Sequence, residues 1–274
     1  VTASSFRVDE AVWRGLLALR RGETPQRDHG QDPAWTLYEP IARRDGRSFV
    51  VAQVGQSLDG RVATVDGDAI PISGADGFAH LHRLRALADA VIVGAGCVVA
   101  DDPRLTVREV EGPSPVRVVI DPSGRVPPGA KCLSGEGGAI LVRAEGGTPV
   151  DEPTSLCLPR DGDGRLCPRA LLAALARRSL RTILVEGGAA TIRHFLQAGL
   201  VDRLHVTVAP IVIGSGAPGL LLDPISRLSE ALRPQCRVMP LGSDTLFDCA
   251  FDRVSTDPPA RLAIGSVPDA GGIW

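Results

Sequence analysis

Apolar and polar positions along this chain follow two periods, one of a helix and one of a strand. Behind Asp9, a good capping residue, Val12, Trp13, Leu16, Leu17 and Leu19 recur at helical spacing and predict an amphipathic helix over 10–21. Residues 22–32 carry Gly, Pro and charges without a period and read as a loop, so 1–46 is an N-terminal helical appendage and linker. A β-rich run at 48–54 opens the main domain, 47–254. Leu81, Leu84 and Leu87 mark a helix over 76–87, and short apolar runs at 89–93, 116–120 and 139–142 predict buried strands. Pro168 suits the first turn of a helix to about 178, 182–185 is a strand, and 189–198 is a helix ended by Gly199. Strands follow at 203–209 and 211–213, and 237–240 with 245–253 form a hairpin around Gly242 and Ser243. From 255 to 274 no apolar period remains, which predicts a loose tail. Strands alternating with helices predict a single α/β domain. Its mixed, mostly parallel central sheet is flanked by helices and ends in a C-terminal antiparallel hairpin.

Composition narrows the function. The 274 residues, 44% hydrophobic and 23% charged, are those of an ordinary globular enzyme. Three Trp, one Tyr and six Phe with a net charge of −2 argue against a nucleic-acid partner, which needs stacking rings and excess positive charge. Lys131 is the single lysine, so a lysine-bearing phosphate loop is excluded and Arg is left to hold any phosphate. The six cysteines form no CxxC pair and read as buried or incidental thiols in a reducing compartment. No apolar run approaches the roughly 18 residues of a membrane span. Asp9, Glu10 and Arg14 interrupt any signal core, so a cytoplasmic protein without membrane contact is expected.

Glu186-Gly187-Gly188 stands between a strand and a helix start. Glycines there let backbone N–H groups approach a phosphate, although a tight turn would use the same residues. Gly94-Ala95-Gly96 resembles the opening of a dinucleotide fingerprint, but Val99 occupies the third glycine position. Asp101 and Asp102 could serve a ligand or a turn before Pro103. No metal-ligand spacing, zinc-deaminase signature or serine elbow occurs, so no metal is expected.

Taken together, the motifs resemble one family. Ser57-Leu58-Asp59-Gly60-Arg61, Ile72-Ser73-Gly74, Leu84-Arg85, residues 94–98 and the run from Asp101 to Arg108 come first. Val118-Val119-Ile120-Asp121, Val185-Glu186-Gly187-Gly188, residues 198–202, Ala209-Pro210 and Gly214 follow in the same order. Over about 49–253 this is similar to the reductase domain of the riboflavin-biosynthesis protein RibD, whose fold is dihydrofolate-reductase-like. The resemblance implies NADPH-dependent reduction of a ribosylaminopyrimidine phosphate to its ribityl form by a stand-alone reductase without deaminase activity, working as a homodimer. It implies that Gly55, Cys97, Asp101, Gly187, Gly188, Ala189, Ala190 and Thr191 meet NADPH. Arg85, Leu105, Arg108 and Glu186 would hold the phosphorylated pyrimidine. Ser123 and Arg125 are nominated for the adenosine 2′-phosphate, and Asp59 and Glu186 as the catalytic pair that hydrogen-bonds the pyrimidine or the opened sugar.

The chain departs from the family at Ala69 and Pro71, where a Ser two residues before a Trp is common. It departs again at Cys97, where Thr is common, and at Pro122 in place of Ser. These departures leave two competing readings, a pterin or dihydrofolate-type reductase on the same scaffold and a catalytically lapsed nucleotide-binding protein.

Overall fold

The computed structural model describes residues 6–27, 29–69, 72–146, 155–162 and 164–251. Pro71, the end of the expected hairpin at 252–253 and the tail at 255–274 lie outside them. The chain opens with α1 (Glu10–Arg20) and α2 (Pro33–Ala42), then β1 (Phe49–Ser57), β2 (Arg61–Thr64), α3 (Ala75–Leu87), β3 (Ala90–Gly94), α4 (Ala95–Asp101) and β4 (Val116–Ile120). It continues with β5 (Ala139–Ala144), β6 (Ser155–Leu158), α5 (Pro168–Arg177), β7 (Thr182–Glu186), α6 (Ala189–Gln197), β8 (Arg203–Ala209), β9 (Gly216–Pro218), β10 (Gln235–Leu241) and β11 (Asp244–Ala250).

Among the described residues, nine strands form one sheet in the order β10-β11-β8-β1-β7-β3-β4-β5-β6. Every pairing from β8 to β6 is parallel, while β11 runs antiparallel to both β8 and β10. β2 and β9 pair separately. Alternation on β1 divides the interior. Val51 faces the layer of α1, α2 and α3, whereas Val50, Ala52 and Val54 face the layer of α5 and α6.

The appendage is built into the first layer. Asp9 caps α1 through the Ala11 amide, and Asp32 caps α2 through the amides of Ala34 and Trp35, with Pro33 at the first helical position. Leu16, Leu37, Tyr38 and Ile41 are fully buried against the core. α2 was not expected from the apolar pattern, because its rings and Pro40 interrupt a leucine-type stripe. The apolar segment 211–213 is not a strand; Ile211 and Val212 are exposed, since an apolar run reports composition and not burial. Among the described residues no helix is long and apolar enough to cross a membrane.

Candidate active site

β1, β3, β4 and β7 run parallel and end at one edge, the place where open α/β sheets receive ligands. Two glycine turns meet there. Gly94 ends β3, and Gly187 and Gly188, with φ of 65° and 64°, follow the adjacent β7 and lead into α6. The turns are packed closely: a Cβ on Gly188 would lie 2.9 Å from Cys97 Sγ, and one on Gly94 would lie 2.7 Å from Thr191 Oγ1. Gly188 is therefore required by backbone angle and by space at once, Gly187 by angle and Gly94 by space.

Between the turns and β4 opens a cavity of about 400 Å³. Gly96, Gly188, Ala190 and Thr191 form one wall, and Arg125, Arg160, Arg165 and Arg193 surround it. Arg193 is paired with Asp223. The guanidinium groups of Arg125 and Arg165 have no partner among the described residues. The turn carrying Arg125 is held by the buried Asp121 carboxylate, which accepts from the amides of Arg125 and Val126 at 2.9 Å and from Arg143 at 2.6 Å. The segment carrying Arg160 and Arg165 is tied to α6 by His194 Nε2 and Asp161 Oδ2, 3.0 Å apart. Unpaired guanidiniums beside the N-terminus of α6 give the cleft the chemistry that suits an anion.

Next to the cleft, Glu186 at the end of β7 meets Arg85 of α3. Nε donates to Oε2 at 2.9 Å, Nη2 donates to Oε1, and Nη1 donates to the Thr106 carbonyl at 3.0 Å. The two side chains are only 6% and 13% exposed. One turn earlier, His82 Nδ1 accepts from the Arg108 amide at 3.0 Å. Burial, with the charges of Arg85 and Arg108, lowers this imidazole to about 4, so it stays neutral at pH 7. Leu105 is buried with φ 58°, a left-handed conformation that strains a leucine and is found most often where a site constrains the backbone.

The nominated residues are placed unequally. Cys97, Gly188, Ala190, Thr191 and Arg125 line the cavity, as does Pro122. Gly187 and Ala189 belong to the same turn, and Gly55 packs beside Ser73 on β1. Burial, then the carboxylates of Asp101 and Glu186, push the Cys97 thiol up to about 11, so it stays protonated. Asp101 and Ser123 are exposed beside the cavity, Ala69 is exposed, and the half-exposed Arg108 side chain turns toward Glu109. Arg85 and Glu186, nominated as separate ligand contacts, are partners of each other.

Asp59 is held by its own chain. Its carboxylate accepts from Ser57 Oγ at 2.6 Å and from the amides of Ile213 and Gly214 at 3.1 and 2.7 Å, which brings it down to about 2. Asp102 likewise accepts from the Lys131 amide.

Gln53 is a buried polar residue beside Glu186 that motif reading passed over. It is 5% exposed on β1, in register with Glu186 and His205. Its Nε2 reaches Thr207 Oγ1 at 3.3 Å, while its buried Oε1 has no partner among the described residues. The available signal was a polar residue at an inward position of an otherwise apolar strand. A larger cavity of about 610 Å³ lies elsewhere, between α2 and β8, β10 and β11. Of its charged residues, Arg203 and Arg237 both pair with Asp248, and Glu39 pairs with Arg43.

Fold and cleft define a dihydrofolate-reductase-like α/β domain with its ligand edge at the ends of parallel strands. Residues 48–239 match the model of the RibD C-terminal domain, and the chain belongs to that family. It is 32% identical over 212 residues to the 2,5-diamino-6-ribosylamino-4(3H)-pyrimidinone 5′-phosphate reductase of Methanothermobacter thermautotrophicus, covering 74% of this chain and 97% of the relative. To the riboflavin biosynthesis protein RibD of Mycobacterium tuberculosis it is 34% identical over 210 residues, 75% of this chain and 55% of that protein. Among solved structures, the deaminase/5-amino-6-(5-phosphoribosylamino)uracil reductase of Thermotoga maritima superposes with a TM-score of 0.62 at 27% identity, covering 74% of this chain and 56% of that one. The chain thus spans about half the length of its two-function relatives.

Proposed function

We propose that this protein reduces a ribosylaminopyrimidine 5′-phosphate to its ribityl form in riboflavin biosynthesis, with NADPH as the hydride donor. The observation that carries the reading is the juxtaposition, at the ends of β3 and β7, of an arginine-walled phosphate cleft with the Arg85–Glu186 pair. Family membership supports it, as does the pyrimidinone phosphate reductase named among the relatives.

The residues present fit such a cofactor. The Gly187-Gly188 turn and the start of α6 suit a diphosphate, and Arg125 and Arg165 suit a further phosphate. Bound there, the nicotinamide supplies the hydride. The chain's own work is orientation and exclusion of water. Arg85 and Glu186 hold each other rigid at the substrate side, and Asp59 holds the 57–61 turn against 213–214. Leu221, Leu222, Ile225, Leu228 and Leu232 form an exposed apolar run that suits the pairing of two copies.

Oxidation of NADPH measured in parallel with the ribosylaminopyrimidine phosphate and with dihydrofolate tests the reading. Turnover with the first and none with the second is expected. Turnover with dihydrofolate alone would replace it by a pterin-type reductase, and no binding of NADPH by calorimetry would remove the enzyme reading. Gly188→Ala places a Cβ at a left-handed φ and against Cys97. It is expected to weaken NADPH at least about tenfold, and calorimetric titration of the variant reads it.

A further inference from the structure

We infer that Cys236 and Cys249 form a dithiol modification site that takes up a reversible intrachain disulfide from a small disulfide such as oxidised glutathione. The two residues are direct partners across β10 and β11, and their Sγ atoms lie 3.6 Å apart. The register shows why they meet. Gly242, at φ 63°, and Ser243 make a two-residue loop that closes on Leu241 and Asp244, and ladder pairs then alternate. Cys236 and Cys249 fall in the non-hydrogen-bonded class, where opposed side chains approach most closely, about 4.5 Å between Cα atoms, within the range a disulfide needs. Pro240 and Thr245 fall in the same class, which agrees with Pro240 having no N–H to donate.

The environment orders the chemistry. β10 is the sheet's edge and Cys236 is exposed, whereas Cys249 is half-buried. Burial, then the neighbouring Cys236 sulfur, pushes the Cys249 thiol up, so Cys236 is the group that attacks. The Cys236 thiolate displaces one thiolate from the small disulfide and forms a mixed disulfide. Cys249, losing its proton to solvent, then attacks the Cys236 sulfur and expels the second thiolate. Two electrons pass from the dithiol to the small disulfide and no other oxidant is needed. The remaining thiols stand apart on α4, on the short turn at 131–133, on β6 and at the start of α5.

Equilibration of the full chain in glutathione redox buffers, then trypsin digestion without reductant, tests the site. Cleavage at Arg227, Arg237 and Arg253 separates the cysteines, so a disulfide joins the peptides Leu228–Arg237 and Val238–Arg253. The joined species is expected to form, to vanish on adding reductant, and to be absent from Cys249→Ser. Preorganisation by the hairpin should make it form at a ratio of oxidised to reduced glutathione at least about tenfold lower in the folded protein than in urea. A glutathione adduct on Cys236 without the joined peptides, a link between two copies, or equal ratios in folded and unfolded protein would each overturn the inference.

Discussion

Arg85→Ala is expected to remove about 3 kcal/mol of folding stability and at least about 99% of activity. The guanidinium is nearly inaccessible and spends Nε and Nη2 on Glu186 and Nη1 on the Thr106 carbonyl. Its removal leaves a carboxylate that is 13% exposed without its counter-charge, and an unpaired buried charge costs far more than the pair contributes. Urea unfolding gives the first number and NADPH oxidation with the ribosylaminopyrimidine phosphate the second. Arg85→Lys keeps the charge but not the two-pronged geometry, so it should fall between the wild type and Arg85→Ala in both. The double variant Arg85→Met with Glu186→Met removes both charges and should recover most of the stability and none of the activity. A loss under about 1 kcal/mol for Arg85→Ala would show that the pair is no structural unit.

Asp248→Asn should cost about 3 kcal/mol, because this fully buried carboxylate serves three partners. It accepts from Arg203 Nη1 at 2.8 Å and from Arg237 Nη2 at 2.8 Å, and its Oδ1 lies 3.3 Å from His205 Nε2. It also ends a buried file of rings: His205 Nδ1 lies 3.2 Å from His80 Nε2, and His80 Nδ1 lies 2.6 Å from the Tyr38 hydroxyl oxygen.

Two depressed groups of this network contribute to the pH dependence, alongside His82 and Asp59. Burial, with His205 and Arg83, holds His80 well below its ordinary 6.5. The unfolded chain therefore binds the proton more readily, and stability falls as pH drops below about 6.5. Burial alone would raise Asp248, but the hydrogen bond and charge of His205 and the charge of Arg203 outweigh it and hold the carboxyl well below the ordinary 3.8. Its contribution is complete above that value and is lost as pH falls further. Urea midpoints measured from pH 7 downward should decline in both steps in the wild type. In Asp248→Asn the second step should flatten; an unchanged acid limb would place the acid sensitivity elsewhere.

The periodic parts of the chain were legible because periodicity reports which face an element buries. Leu84 and Leu87 on α3, the apolar runs of β3, β4 and β7, and the Gly199 stop of α6 needed nothing beyond local spacing. α2 was not legible by that rule, although Asp32 and Pro33 announce its start. The four-residue strands β2 and β6 are too short to establish a period. At the site, the Gly187-Gly188 turn could be read because a positive φ selects glycine wherever the chain later goes. Partnership could not be read in the same way. Asp59 and Glu186 look alike as acidic residues beside glycine, yet one is held by Ser57 and the distant amides of 213–214 and the other by a helix.

The sequence by itself determined the α/β class, the order of its motifs and the two turns open to a phosphate, since all are set by spacing and backbone freedom within a few residues. Only the tertiary structure decided that Arg85 meets Glu186 across 101 residues and that Tyr38 of the appendage reaches His80. The same holds for the approach of Arg160 and Arg165 to Arg125. Those pairings depend on the sheet order β8-β1-β7-β3-β4, which places distant segments side by side. A charge selects its partner by proximity in space and leaves no trace in local spacing.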